Sequence, residues 1–209
     1  VDRGGGAYAR AVAADPAERG SREVLSRLPT IRDAQRERAA VLESAIESVN
    51  EPYLSGELLL EVARLWDEQE ADPVNAERAY QRLIAVDPEN PDNVVPASQA
   101  LERIHLGAEN FTALAEDLRR QIRFEQDPSL RAGLLLRLAE LLETTLEDRP
   151  GAIEAHRERL ESAPDDVSAL RALERLYETE SQWQNLVGVL QNRDALTEDP
   201  DEQRGIARR

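Results

Sequence analysis

The sequence predicts an all-α protein built as a stack of antiparallel helix hairpins, with about ten to eleven helices. Three observations predict it. The chain repeats itself at a long period, and its apolar residues recur at spacings of three and four. Asp-Pro pairs punctuate it, and the alternation and Asn-Gly or Asp-Gly turns of β-hairpins are absent.

The repeat is explicit. "AYARAVAADP" (7–16) returns as "AYQRLIAVDP" (79–88), a shift of 72, and as "AHRERLESAP" (155–164) after a further 76. "ALERIHLGAENFTAL" (100–114) returns as "ALERLYETESQWQNL" (172–186), and "LLLEVARLW" (58–66) as "LLLRLAELL" (134–142). The difference between 72 and 76 is assigned to a longer connection at "PENPDNVVPAS" than at "PDDVSA".

Within each period the spacing dictates helices. Leu134, Leu135, Leu138, Leu141 and Leu142 line one helical face, and Val62, Leu65 and Trp66 copy that pattern earlier. Proline suits a first helical turn and breaks a continuing one, so the Asp-Pro pairs at 72–73, 87–88, 127–128 and 199–200 and the Arg-Pro pair at 149–150 mark starts and stops. In order, a short helix is expected near 7–14. Further helices are expected near 21–31, 33–49, 54–70, 73–86, 96–106, 110–125, 130–146, 150–162, 167–179 and 182–195. Ile206 stands where a following helix would enter its apolar stretch. Short connections make consecutive helices antiparallel.

Composition excludes several functions. Acidic residues outnumber basic ones by 42 to 26 over 209 residues, a net charge of −16, and every basic residue is Arg. That balance repels a phosphate backbone, so nucleic acid is not an expected partner. The absence of Cys removes disulfides, thiolate chemistry and cysteine zinc sites, and the absence of Lys removes a phosphate-loop lysine and a Schiff base. No apolar run approaches the ~18 residues of a membrane span. A cytoplasmic protein without a membrane partner is the expectation.

The segment 58–90, "LLLEVARLWDEQEADPVNAERAYQRLIAVDPEN", resembles a tetratricopeptide repeat, the helix–turn–helix unit of about 34 residues. Ala63 and Ala76 fall at the family's small positions, Trp66 and Tyr80 at bulky ones, and Pro88 closes the unit. Ala139, Leu142, Ala152 and His156 repeat this in 134–166. The hairpins 96–125 and 167–195 match less well, because Glu102 and Glu174 stand where a small residue is usual, and Leu114 and Leu186 replace the second small one. The resemblance implies a right-handed α-solenoid of about five hairpins, spanning 1–209 as an excerpt of a longer array. Its units would run approximately 17–88, 89–164 and 165–209, with 1–16 the tail of a preceding hairpin.

Chemistry candidates reduce to packing on inspection. His105 aligns with Tyr177, and His156 with Tyr8 and Tyr80, which makes both histidines spacers at packing positions. The acid runs at 67–72, 165–166 and 198–202 fall at helix ends and loops, where they favour capping and solvent. "DPENPDN" (87–93) lacks the Gly and distal Glu of an EF-hand, and "GGG" (4–6) lacks the strand of a dinucleotide loop. The aromatics Tyr8, Tyr53, Trp66, Tyr80, Phe111, Phe124, Tyr177 and Trp183 mostly recur at repeat positions and are expected to pack between helices. No catalytic residue, cofactor or metal is expected, and the chain is read as a non-enzyme.

The resemblance places the binding face on the first helix of each hairpin, the concave side of the solenoid. The helical wheel puts Leu60, Arg64, Asp67, Glu68, Gln99, Arg103, Leu136, Glu140, Glu143, Arg171, Arg175 and Glu178 there. The family's Lys- and Asn-rich clamp for a terminal carboxylate has no counterpart. The function expected is a scaffold that binds a protein or peptide segment in that groove. Two alternatives stand beside it. One is a spacer that self-associates through uncapped ends. The other, suggested by Trp66 and "AERAY", is a half-tetratricopeptide RNA-processing scaffold, which the acidic balance opposes.

Overall fold

The Asp and Asn residues that punctuate the sequence become helix caps. Asp72, Asn90, Asn110, Asp127, Asp148 and Asp166 each accept a bond from a backbone N–H in the first turn that follows. Each such cap stabilises its helix by about 1 kcal/mol, because the N–H groups of a first turn otherwise lack partners. Pro73, Pro91 and Pro128 directly follow three of the caps, where a missing N–H costs nothing.

The computed structural model describes residues 32–48, 51–69, 71–197 and 199–206. Among these residues the elements are α1 (Arg32–Ser48), α2 (Pro52–Arg64) extended by a π stretch (Leu65–Gln69), α3 (Pro73–Val86), α4 (Pro91–Gly107) and α5 (Phe111–Phe124). They continue with α6 (Pro128–Thr144), α7 (Arg149–Ser162), α8 (Val167–Thr179), α9 (Trp183–Leu196) and α10 (Pro200–Ile206). The helices expected near 7–14 and 21–31 lie outside the described residues. The chain divides into two units, Val1–Ala108 and Glu109–Arg209. In the first, α1, α2, α3 and α4 pack each on the next, and α2 also touches α4. In the second, α5 to α10 pack in the same serial way. The result in each unit is a helical repeat of stacked antiparallel neighbours.

One element departs from expectation. α4 begins at Pro91 rather than at Pro96, which lies inside the helix. α4 has 17 residues and its copy α8 has 13, while the connections 87–90 and 163–166 are equally long. The four extra residues therefore form a turn of helix and not a longer loop. A turn takes ~3.6 residues, so the insertion returns the remaining side chains to nearly the same face. Pro96 is the counterpart of Ser168, the second residue of α8, a position where proline is tolerated. In α4 it forfeits the one bond its N–H would have made to the Asp92 carbonyl.

The small positions do what their spacing implies. Ala63, Ala76, Ala139 and Ala152 are each wholly buried. In the first unit they pack with Leu58, Leu59, Val62 and Leu83, and in the second with Leu135, Leu138, Leu170 and Leu173. Burying one such leucine contributes roughly 1.5–3 kcal/mol, and the alanines allow the backbones close enough for it. The hairpin α8–α9, a weaker match in sequence, closes differently. Glu174 takes the small position, and its carboxylate accepts from Arg193 with both side chains buried.

Among the described residues, four hold a left-handed backbone without being glycine. They form two repeated pairs, Ala71 and Glu147 at φ 51° and 53°, and Glu109 and Ser181 at φ 54° and 56°. After Ala71 and Glu147, the Asp72 and Asp148 N–H groups reach back to the Trp66 and Leu142 carbonyls at 2.8 Å, closing the helix ends.

Candidate functional site

In the first unit the expected face is carried by α2, its π stretch and α4. Leu60 is half-buried on α2, and Arg64, Glu68, Gln99 and Arg103 are exposed. Arg103 donates to Asp67 Oδ2 across the two helices, its own side chain 64% exposed and that of Asp67 only 10%. Tyr80 from α3 hydrogen-bonds the same carboxylate oxygen at 3.3 Å. Burial of Tyr80, followed by the charges of Asp67 and Glu68, pushes its phenol up to about 12, so it stays protonated and donates. The hydrogen bond to Asp67 likewise raises the Arg103 guanidinium further above its ordinary value. Asp67 stands on the π stretch, an irregularity that changes the direction of the side chains it carries.

The second unit repeats the device on α6 and α8. Arg175 grips Glu143 with two nitrogens at 2.5 and 2.8 Å, its side chain 62% exposed against 17% for the carboxylate. The sequence separations of the two ion pairs, 36 and 32, differ by the extra turn of α4. His156 takes the place of Tyr80. Burial, then the charge of Arg159, lowers its imidazole to about 4, so it is neutral at pH 7. Leu136 is half-buried, and Glu140, Arg171 and Glu178 are exposed.

Of the expected residues, two couples are therefore joined, Asp67 with Arg103 and Glu143 with Arg175. Each presents an arginine whose geometry is fixed by a shielded carboxylate. Sequence reasoning missed Leu106, the counterpart of Glu178, which is 55% exposed one turn beyond Arg103. Its spacing of three from Arg103 was the available signal.

The second unit also holds a cleft of about 590 Å³ on the opposite side of α6. Ile122, Leu138, Leu142 and Ala155 line it between rims bearing Arg119, Arg123, Glu154 and Glu158. Several of its charges are paired: Arg131 donates to Glu158 and to the Ile122 carbonyl, and Arg157 pairs with Glu154 in solvent.

Both histidines are buried at helix contacts, His105 with Nε2 3.2 Å from Glu77 and His156 with Nδ1 3.3 Å from Arg159. Tyr80 and Tyr177 are buried as their repeat positions imply. Tyr53 and Trp183 depart from the packing expectation, at 63% and 61% exposed. Among the described residues no group of three or more His, Cys, Asp or Glu could hold a metal ion. None of the helices described is long and apolar enough to cross a membrane.

No protein-family model matches the chain, and no curated protein does. Solved structures with a related trace include MamA, at 14% identity over 83% of this chain and 92% of that one, with a TM-score of 0.40. BtubC (BKLC) from P. vanneervenii has 17% identity over 99% of this chain and 87% of that one, TM-score 0.46. PilF of Pseudomonas aeruginosa has 13% identity over 98% and 87%, TM-score 0.38.

Proposed function

We propose that the chain is a non-catalytic scaffold whose first-helix faces, α2 with α4 and α6 with α8, each take a protein or peptide segment. One observation carries the reading: the shielded carboxylate with an outward arginine occurs twice, at equivalent places. An arginine held this way keeps unused N–H donors aimed at solvent while losing little rotamer freedom on binding. Leu60 with Leu106, and Leu136, supply apolar contact beside it. Such a surface suits an extended or helical segment carrying acidic side chains or free backbone carbonyls, with the arginines selecting and the leucines anchoring.

The test is selection of binders from a displayed peptide library on the immobilised chain, followed by titration of the selected peptides. Arg103→Gln with Arg175→Gln should weaken binding at least tenfold and leave the helical circular dichroism intact. Glutamine is preferred to glutamate, which would set a second acid against Asp67 and Glu143. Unchanged affinity in a folded double variant would remove the first-helix assignment.

A further inference from the structure

The groove between alternate helices is spanned by an ion pair in one unit and open in the other. α1 and α3 flank α2 as α5 and α7 flank α6, and a shift of 76 residues relates the two sets. In the first unit Arg78 of α3 reaches Glu43 of α1 at 3.4 Å, and the π stretch packs against both helices. The same two positions in the second unit hold Glu154 and Arg119, again of opposite charge. Here each pairs within its own helix, Arg119 with Glu116 at 2.5 Å and Glu154 with Arg157 at 2.8 Å. α6 stays regular to Thr144, with Leu142 at the position of Trp66. The cleft of about 590 Å³ opens at this place, within the ~300–1,000 Å³ of binding clefts.

We infer that this cleft receives one amphipathic helix of a partner protein, acidic along one edge, basic along the other and apolar between. The rims decide the charges. Arg119 and Arg123 stand a turn apart on the α5 side, both exposed, and Glu154, Glu158 and Glu161 run over two turns of the α7 side. Arg157 also lines that side, tied to Glu154. Ile122, Leu138, Leu142 and Ala155 form the floor. Charges a helical turn apart on both rims match those of a helix laid along them, and the apolar floor matches its buried stripe. The pairs at Arg119 and Glu154 are local and in solvent, so exchanging them for pairs to an occupant costs little. Rims of one sign would take a uniformly charged segment. Opposite rims reject it, because whichever sign it bears meets repulsion along one side. From Glu154 to Glu161 the rim runs about 10 Å at 1.5 Å per residue and engages two turns of the occupant, a small interface of the transient kind. The cleft lies away from the first-helix faces and does not depend on that assignment.

Fluorescence anisotropy of the full chain with three stapled helical peptides tests it. All share one stripe of leucine, and its edges carry Glu on one and Lys on the other, Glu on both, or Lys on both. The mixed peptide should bind about tenfold more tightly than either of the others. A net charge of −16 by itself favours the all-Lys peptide, so that order reads the rims and not the whole chain. Arg119→Glu with Glu154→Arg keeps the net charge and installs the first unit's residues. It should span the cleft and weaken the mixed peptide about tenfold, with unchanged circular dichroism. Arg103→Gln with Arg175→Gln should leave the affinity for that peptide as it is. Failure of the mixed peptide to bind, or a uniform peptide bound as tightly, overturns the inference. So does a folded exchange variant that binds like wild type, or a mixed peptide released by the Arg103 and Arg175 changes, which would belong to the first-helix faces.

Discussion

Between α3 and α4 the first unit closes on leucine, and between α7 and α8 the second closes on arginine. Leu83 is wholly buried in the first, and its counterpart Arg159 is 5% exposed in the second. Leu83 belongs to an apolar cluster with Tyr80, and Asn90 caps the helix that follows. Around Arg159 stand His156, Ser168 at 3.0 Å and the cap Asp166 at 2.5 Å. α3 and α7 have the same bounds relative to the repeat and α4 and α8 the same start, yet one buried position is apolar where the other carries a charged network. The comparison teaches that small residues and caps set this fold, while the side chains between helices are free to be apolar or ionic. The ionic version is the more brittle, because Arg159 Nε is buried without a partner and its guanidinium depends on few groups.

Removing one member of that network should have the largest effect. Asp166→Ala leaves a buried arginine without its carboxylate and α8 without its cap, a loss of about 3–5 kcal/mol. The double exchange Arg159→Leu with Asp166→Asn installs the first unit's residues and should restore wild-type stability or exceed it. Urea unfolding of the three proteins decides the matter. A double variant as unstable as the single one would mean that the two interiors are not interchangeable.

Next in size is the response to acid. An unfolded histidine titrates near 6.5 and His156 at about 4, since burial, then Arg159, disfavours the imidazolium, against the opposing charges of Glu143 and Asp166. The unfolded chain therefore binds more protons between these values, and stability falls as pH drops from 6.5 towards 4. The loss amounts to roughly 2–3 kcal/mol. His156→Tyr, which imports the residue of the first unit, should flatten that slope. An unchanged pH profile of the urea midpoint would locate the acid response elsewhere. The Asp166 carboxyl titrates outside this window. Burial raises it, but the bonds from Ser168 and Ala169 and the charge of Arg159 together hold it below its ordinary value.

The smallest expected effect concerns what the units share. Ala71→Gly and Glu147→Gly each relieve a left-handed backbone that a Cβ disfavours, and each should stabilise by about 1 kcal/mol. Thermal unfolding should register equal gains. A gain in one unit alone would show that the two helix ends are strained to different degrees.

Much of this was legible beforehand. The bounds of α3, α8 and the end of α7 follow from caps and proline, because a cap is a local bond between a side chain and the next turn. Ala63 and Ala139 were readable as close contacts from their spacing. The start of α4 was not, since Pro96 imitates a helix start and the inserted turn looks like a loop until its hydrogen bonds are formed. The left-handed residues were equally hidden, being Ala, Glu, Glu and Ser where glycine would have announced them. The sequence placed Arg103, Arg175, Asp67 and Glu143 together on the expected face, but not which carboxylate each arginine pairs with, 36 and 32 residues away.

What the residues determined alone is the repeat, the helices and the alanine contacts, all of which depend on spacing along a chain whose local geometry is nearly fixed. Tertiary structure decided which charges turn inward, as Arg159, Arg193 and Asp67 do, and which stay in water. Burial of a charge depends on a partner that another helix supplies, and only packing brings the two together.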